Sequence, residues 1–313
     1  MVDAVAAAEP EAIFIVGVSR SGTTLMRQVL GSHARIAVAG ENHYLGHLLP
    51  WEGARHTFRR AGDLRDDDAI RRLAGIMYSD EFLAGSRLRE SSPFWRWLAK
   101  KVPREEMEAR LLAAERSERG VFTAVMRAYA DKTGGKAIMG EKTPAHIGWV
   151  ETLFDWYPDA RVIHMVRDPR GVFVSELRRR SGHAVTMPYR WLVRVPVLMR
   201  AFILLEVTWA WAAAVSRHRT LTRRFPDRYR IVRFEDLVRT PEATIGEVCA
   251  FLGVALEPKM LQQKVVSKGS NLGQAGFDAG AADRWQTSIS PRDDRLIRRL
   301  LGRRLHEMGY PRS

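Results

Sequence analysis

The sequence has a single cysteine and lacks a targeting segment of the usual kind. Cys249 is the only cysteine among 313 residues, so no intrachain disulfide can form and nothing points to an oxidising compartment. Its apolar surroundings, VCAFLGV, predict a buried and inert thiol. The N-terminal stretch MVDAVAAAEPEAIF has no basic start and carries Asp3, Glu9 and Glu11, which is atypical of a signal peptide. We therefore expect a cytoplasmic protein.

Long apolar runs free of charge are also missing. The most apolar stretch, residues 191–215, reads WLVRVPVLMRAFILLEVTWAWAAAV and is interrupted by Arg194, Arg200 and Glu206. Because a membrane-spanning helix needs about 20 residues almost free of charge, we predict a buried or surface-lying helix. Basic residues among Trp and Leu also suit a membrane surface, so contact of this stretch with a membrane is the alternative.

Acidic residues are in deficit. The chain has 50 Lys and Arg against 36 Asp and Glu, a formal net charge of +14, which attracts an anionic partner or substrate. Nucleic acid, anionic lipid and a polyanionic nucleotide all fit the charge alone. Arginines recur in the C-terminal helix, but no aromatic interleaving or nucleic-acid module accompanies them, so a nucleic-acid partner is not predicted.

Short apolar runs alternate with helical patterns along the chain. Strands are predicted at 12–17, 36–39, 137–140, 161–166 and 229–234. This alternation predicts an α/β fold: a P-loop-type, open, mostly parallel sheet flanked by helices. We predict one domain over residues 1–313, with a largely helical insertion at about 53–131 and a mobile Gly- and Ala-rich loop at about 267–283.

The first strand is followed by GVSRSGTT, residues 17–24, which has the spacing of a nucleotide phosphate loop. Its glycines let backbone N–H groups turn inward, and the next helix directs its positive N-terminus to the same point, so we predict anion binding. The pattern G-x-x-x-x-G-K-S/T is broken only at Thr23, which replaces the lysine. Arg20 supplies a cation instead, beside the hydroxyls of Ser21, Thr23 and Thr24. A simple strand-to-helix turn is the alternative.

A second anion site is predicted in RVIHMVRDPRGVFVSELRRR, residues 161–180. Arg167 lies at the C-terminal edge of a strand, where ligands bind in open α/β sheets, and its guanidinium matches a phosphate. Ser175 follows eight residues later on a helix. The segment therefore predicts a second, separate phosphate; a structural Arg167–Asp168 pair is the alternative.

The alternative hypothesis for the loop is a P-loop kinase-like phosphotransferase that uses Mg-ATP. In nucleoside triphosphatases the lysine missing here neutralises the β and γ phosphates. No apolar strand ends in a lone aspartate that could hold the metal, since Arg167 stands just before Asp168. Both features favour a phosphate group bound without metal, and we predict no metal site.

Together the two segments resemble the sulfotransferase family that uses 3′-phosphoadenosine 5′-phosphosulfate (PAPS). The R-S-G-T-T-L loop is similar to the branch with tyrosylprotein and bacterial carbohydrate or small-molecule sulfotransferases, and RFEDLVRTPEATIGEVCAFLGV adds a weaker match. The resemblance implies transfer of a sulfuryl group to a hydroxyl of a carbohydrate, lipid, small metabolite or protein tyrosine. It also implies two sets of PAPS contacts: the 5′-phosphosulfate on Arg20, Ser21, Gly22, Thr23 and Thr24, and the 3′-phosphate on Arg167 and Ser175.

Transfer to a hydroxyl also needs a base and cations near the moving group. By the same resemblance, Lys142 in GEKTPAH joins Arg20 as a cation, and Glu41 in VAGENHY is the base. His43 and His146 are the rival bases, because imidazole accepts a proton at neutral pH. The resemblance also places Ser270 and Arg284, around the late glycine-rich loop, on the nucleotide.

Overall fold

The computed structural model describes residues 9–46, 53–86, 89–90, 92–181, 195–262 and 276–311. The predicted nucleotide contact Ser270 and the first part of the predicted mobile loop lie outside these residues.

The strands and helices alternate as the sequence predicted. The strands in the described residues are β1 (Ala12–Gly17), β2 (Ile36–Ala39), β3 (Gly85–Ser86), β4 (Arg89–Glu90), β5 (Ile138–Lys142), β6 (Arg161–Val166) and β7 (Tyr229–Arg233). The α-helices are α1 (Thr23–Gly31), α2 (Ala54–Phe58), α3 (Asp67–Met77), α4 (Asp80–Ala84), α5 (Pro93–Lys101), α6 (Arg104–Ala113), α7 (Glu118–Lys132), α8 (Val150–Trp156), α9 (Pro169–Ser181), α10 (Pro196–Arg224), α11 (Phe234–Arg239), α12 (Pro241–Leu252), α13 (Pro258–Leu261) and α14 (Pro291–Glu307).

Five of the strands form one sheet in the order β2-β5-β1-β6-β7. Strand β5 pairs in parallel with both β1 and β2, with Lys142 in register with Ile15 and Glu141 with Ala39. The predicted fold class is confirmed, and all five predicted strands are present. The strand predicted at 137–140 begins one residue later and runs to Lys142, so this lysine is the last residue of β5.

The chain divides into two compact units. The loop unit contains residues 1–9, 17–26 and 163–313, and the helical unit contains residues 10–16 and 27–162. The prediction of one domain over the whole chain stays a prediction.

The helical unit contains the predicted insertion, whose described residues form mainly helices together with one antiparallel pair of two-residue strands, β3 and β4. Helix α7 packs on β2 and β5. Its Phe122 lies within 6.3 Å of Phe14 on β1, centroid to centroid, and contacts Tyr44 at 5.1 Å. Aromatic packing of this kind stabilises the unit by burying large apolar surfaces. A 3-10 turn, Pro144–Trp149, leads from β5 into α8.

The loop unit is built around α9, α10 and α14, which share one apolar core. Helix α10 occupies the apolar stretch of the sequence and is the one described helix long and apolar enough to cross a membrane by length and composition, with 39% of its apolar window buried. Trp211 is buried, whereas Trp209 is 62% exposed. Residues two positions apart on an α-helix are separated by about 200° around its axis, so these two tryptophans point in nearly opposite directions. The single cysteine, Cys249, is buried on α12 as predicted, and burial raises the pKa of its thiol to about 11.

Candidate functional site

The predicted phosphate loop lies between β1 and α1, and two glycines make its turn possible. Gly17 has φ of +144° and Gly22 has φ of +92°, values that side-chain-bearing residues rarely adopt. A Cβ at Gly17 would lie 2.4 Å from the carbonyl oxygen of Met165, and one at Gly22 would lie 2.5 Å from Cδ2 of Phe234. The first helical residue after the turn is Thr23, so the N-terminus of α1 follows the loop directly.

Arg20 joins the loop to the second predicted segment. Its Nε donates to Oγ of Ser175 at 3.0 Å, and its carbonyl oxygen accepts from Nη1 of Arg167 at 3.3 Å. The backbone of Arg20 has a positive φ of 69°, which is uncommon outside glycine. The structure therefore brings Arg20 into contact with both Arg167 and Ser175. The sequence analysis had assigned Arg20 to the 5′-phosphosulfate and the other two residues to the 3′-phosphate. Ser21 is buried, and its hydroxyl donates to the carbonyl of Val18.

Arg167 is a partly buried cation with unused hydrogen-bonding capacity. Its Nη2 donates to the carbonyl of Ala281 at 2.9 Å, and the guanidinium lies 4.2 Å from the centroid of the Phe234 ring. Its Nε is buried and has no hydrogen-bond partner among the described residues. Burial lowers the pKa of Arg167, and the Glu235 carboxylate partly counters this effect. A guanidinium N–H that is not engaged by the protein is a strong donor for an anionic ligand.

The alternative Arg167–Asp168 pair does not form. The Asp168 carboxylate binds Arg170 through two parallel contacts, 2.9 Å from Oδ1 to Nε and 2.6 Å from Oδ2 to Nη2. Both side chains are almost fully buried, so this fork is well screened from water. Arg170, which the sequence analysis did not single out, therefore satisfies Asp168 and leaves Arg167 for another partner.

In the helical unit, Glu41 and Lys142 form an ion pair. Nζ of Lys142 contacts Oε1 of Glu41, and Nε2 of His43 lies 3.4 Å from Oε2. Lys142 is 6% exposed and Glu41 is 39% exposed. Burial alone would raise the pKa of Glu41, but His43 and Lys142 outweigh it and hold the pKa well below its ordinary value. In this arrangement Glu41 is an ionised carboxylate and a weak proton acceptor.

A buried network fixes the segment that carries Glu41 and His43. The backbone N–H of Asn42 donates to Oγ1 of Thr143 at 3.3 Å, and the carbonyl of Asn42 accepts from the Trp95 indole at 2.8 Å. His43 itself has a positive φ of 49°. Trp95 is buried and holds the backbone beside the predicted base, a role that its sequence position did not indicate.

His146 pairs with a different carboxylate, that of Glu141. Its Nδ1 is 3.0 Å from Oε2 of Glu141, and both side chains are about 1% exposed. Its Nε2 is buried and has no partner within the described ranges. Because a base must reach the proton that it abstracts, burial disfavours His146 in this conformation and leaves Glu41 and His43 as the better candidates.

Arg284 is engaged within its own segment. Its Nη2 lies 2.5 Å from Oδ2 of Asp278, and its side chain is 38% exposed. The next residue, Trp285, is nearly buried, and the Arg170 guanidinium lies 4.4 Å from the centroid of its ring. A nucleotide contact by Arg284 would require it to leave Asp278, and that contact stays a prediction.

Residues 10–258 match the model of the sulfotransferase family. The chain belongs to that family. The resemblance found in its two motifs is thereby confirmed for most of the chain. The match ends before the late loop that contains Ser270 and before Arg284.

Relatives of the chain are sulfotransferases of more than one kind. Carbohydrate sulfotransferase 5 of Mus musculus is 30% identical over 168 residues, which is 48% of this chain and 41% of the relative. A candidate protein-tyrosine sulfotransferase of Caenorhabditis briggsae is 22% identical over 256 residues, 80% of this chain and 68% of the relative. The matched part thus spans less than half the length of the carbohydrate sulfotransferase.

A solved structure shares the fold. The sulfotransferase domain from the Synechococcus PCC 7002 olefin synthase superposes with a TM-score of 0.55 and 21% identity, covering 97% of this chain and 96% of that chain. At this identity the similarity shows the fold alone.

Proposed function

We propose that this member of the sulfotransferase family moves a sulfuryl group from PAPS to an acceptor hydroxyl. The observation that carries the proposal is the partly buried guanidinium of Arg167, held beside Arg20 and Ser175 at a glycine-dependent loop, with a buried Nε that has no partner among the described residues. Family membership supplies the reaction type, and this cluster supplies a place for the donor.

The loop unit fits a nucleotide with two separate anionic groups. The loop residues from Arg20 to Thr24 would hold the 5′-phosphosulfate through backbone N–H groups and the positive end of α1. Arg167 and Ser175 would hold the 3′-phosphate, which would satisfy the unused Nε. In this structure the Nε of Arg20 donates to the Ser175 hydroxyl. On donor binding, Arg20 would either leave Ser175 for the phosphosulfate or keep this hydrogen bond and contact the phosphosulfate through its other N–H groups.

In the transfer step, the acceptor oxygen attacks sulfur in line, the bond between sulfur and the bridging phosphate oxygen breaks, and 3′-phosphoadenosine 5′-phosphate (PAP) leaves. The acceptor's proton passes to a base, for which Glu41 is the proposed residue. Lys142 would stabilise the charge on the moving group. It is in register with Ile15, two residues before the loop begins at Gly17. Release of Glu41 from Lys142 would raise the pKa of Glu41 and make the carboxylate a better base.

The family assignment gives no support to the Mg-ATP kinase alternative. The nature of the acceptor belongs to the proposal: the relatives' names include carbohydrate and protein-tyrosine sulfotransferases, and both acceptors present a hydroxyl. A cytoplasmic location is likewise part of the proposal.

Membrane contact through residues 191–215 is a further part of the proposal. Its support lies in α10, which exposes Leu198, Leu205 and Trp209 at helical spacing on one side. With a net charge of +14, the partner that fits best is an anionic bilayer surface.

The direct experiment uses PAPS labelled with ³⁵S, offered with extracted lipids, glycans, tyrosine peptides and small metabolites in the presence of EDTA. We expect transfer of label to one acceptor class, and the same activity without EDTA. Transfer of phosphate from labelled Mg-ATP, abolished by EDTA, would support the kinase instead. Absence of label transfer to all acceptors, together with absence of PAP binding, would overturn the proposal.

A further inference from the structure

We propose that Trp211, Glu235 and Tyr310 form a clamp that sets the position of Arg167 and thereby decides the affinity for the 3′-phosphate of the donor. The three residues come from α10, α11 and the segment after α14, and none of them lies in the phosphate loop or in residues 161–180. The inference rests on the proposed function, because it concerns the residue assigned to that phosphate.

The clamp holds one peptide group from both sides. The carbonyl oxygen of Arg167 accepts a hydrogen bond from the Trp211 indole at 2.9 Å. The N–H of the same peptide group, which belongs to Asp168, donates to Oε1 of Glu235 at 3.0 Å. A peptide group bonded at both polar atoms cannot rotate about its flanking bonds without losing one of them. The direction in which the Arg167 side chain leaves the backbone is therefore fixed.

Tyr310 completes the clamp from the far end of the chain. Its hydroxyl donates to Oε2 of Glu235 at 3.0 Å, so each carboxylate oxygen accepts one hydrogen bond. Two donors suit an ionised carboxylate, which can only accept. Tyr310 is buried, and the Arg233 guanidinium lies 4.7 Å from the centroid of its ring, which fixes the phenol in place.

The absence of a side chain at Gly171 lets the Arg167 guanidinium lie close against the first turn of α9. Gly171 lies in the first turn of α9, where a Cβ would come within 3.0 Å of the Arg167 Nε, the atom without a partner in the described residues. A helix N-terminus offers backbone N–H groups and a positive dipole end to an anion. The ring of Phe234, the neighbour of Glu235, also contacts the guanidinium, 4.2 Å from Cζ to the ring centroid.

The test compares two nucleotides that differ in the 3′-phosphate. Kd is measured by calorimetry for PAP and for AMP with the wild type, Tyr310→Phe and Trp211→Phe. The clamp predicts that each variant raises the Kd for PAP about tenfold and leaves the Kd for AMP within twofold. Tyr229→Phe is the matched control, because it removes another buried phenol hydroxyl of the same unit, bonded to His164 at 2.5 Å; its PAP affinity should equal the wild type.

A merely structural role would weaken PAP and AMP alike, or affect Tyr229→Phe equally, and either result would overturn the clamp. Hydrogen exchange of the Asp168 amide provides a readout that needs no nucleotide: we expect protection in the wild type and faster exchange in Tyr310→Phe. Unchanged exchange would also refute the clamp. If the wild type fails to bind PAP while the Asp168 amide exchanges as predicted in both proteins, the proposed function is wrong and the clamp is retained.

Discussion

Gly22→Ala is the substitution whose consequences the structure defines most closely. The added Cβ meets two obstacles at once. The backbone φ of +92° disfavours any L side chain, and Cδ2 of Phe234 lies only 2.5 Å from the Cβ position. Phe234 supports the Arg167 guanidinium, so the strain reaches the proposed 3′-phosphate site.

The magnitude follows from two contributions. A side chain held in a sparsely populated backbone region costs on the order of 1–3 kcal/mol. Crowding one methyl group into a packed site costs on the order of 1–3 kcal/mol more, because the Phe234 ring has to move by roughly 1 Å to restore contact distance. The free energy of unfolding should therefore fall by about 2–6 kcal/mol, a large part of the total for a typical protein.

Urea unfolding measures the change in stability, and titration with PAP measures the change at the site, where we expect a loss of affinity of more than tenfold. Gly31→Ala is the matched control at the other end of the same helix, α1. A Cβ there meets nothing within 4 Å, so stability and PAP affinity should stay at the wild-type level. Wild-type affinity for PAP in Gly22→Ala would refute the reasoning that connects the loop through Phe234 to Arg167.

Three further outcomes are expected. Lys142→Met should reduce kcat on the order of 100-fold or more, because the sulfuryl group loses the cation that stabilises its charge. The same substitution should raise the pKa of Glu41, which loses its ion-pair partner. An unchanged kcat would exclude Lys142 from the mechanism. Burial lowers the pKa of His164 to about 3. The unfolded chain protonates this imidazole below about pH 6.5, so the free energy of unfolding should fall as the pH is lowered from about 6.5 to about 3, by at most about 1.4 kcal/mol per pH unit. Unfolding titrations should show a shallower slope in His164→Gln. An equal slope in the variant and the wild type would contradict this prediction. Trp209→Ser should lower the fraction of protein that sediments with vesicles of 70% phosphatidylcholine and 30% phosphatidylglycerol. Leu256→Ser, at an exposed apolar residue outside α10, should leave that fraction unchanged. An equal fraction for Trp209→Ser and the wild type would contradict membrane contact through α10.

The sheet and the loop were predictable from the sequence because local signals determine them. Runs such as AIFIVG are apolar throughout, as a strand buried on both faces requires, and both glycines of the loop have the positive φ that their spacing implied. The strand predicted at 137–140 ended two residues too early, because Glu141 and Lys142 are charged and a charged pair usually marks the end of a buried strand. Both side chains are buried in the structure, which the sequence does not indicate. Charged strand ends of this kind are set by tertiary pairing.

The contacts that complete the site were not predictable, because they join residues distant in the chain. The hydrogen bond between Arg20 and Ser175 spans 155 positions, and that between Glu235 and Tyr310 spans 75. Pairwise choices such as Asp168 with Arg170 rather than with Arg167 depend on the direction of each side chain, which periodicity does not specify. The sequence therefore indicated which residue types take part but not which of them contact one another.

The central claim, that the loop unit binds a nucleotide with a 3′-phosphate through Arg167, is tested most directly by calorimetric titration of PAP into the wild type and Arg167→Ala, both in EDTA. The account predicts binding by the wild type without metal and loss of at least tenfold in affinity in the variant. Equal affinity of the two proteins for PAP, or binding of Mg-ATP in preference to PAP, would contradict it.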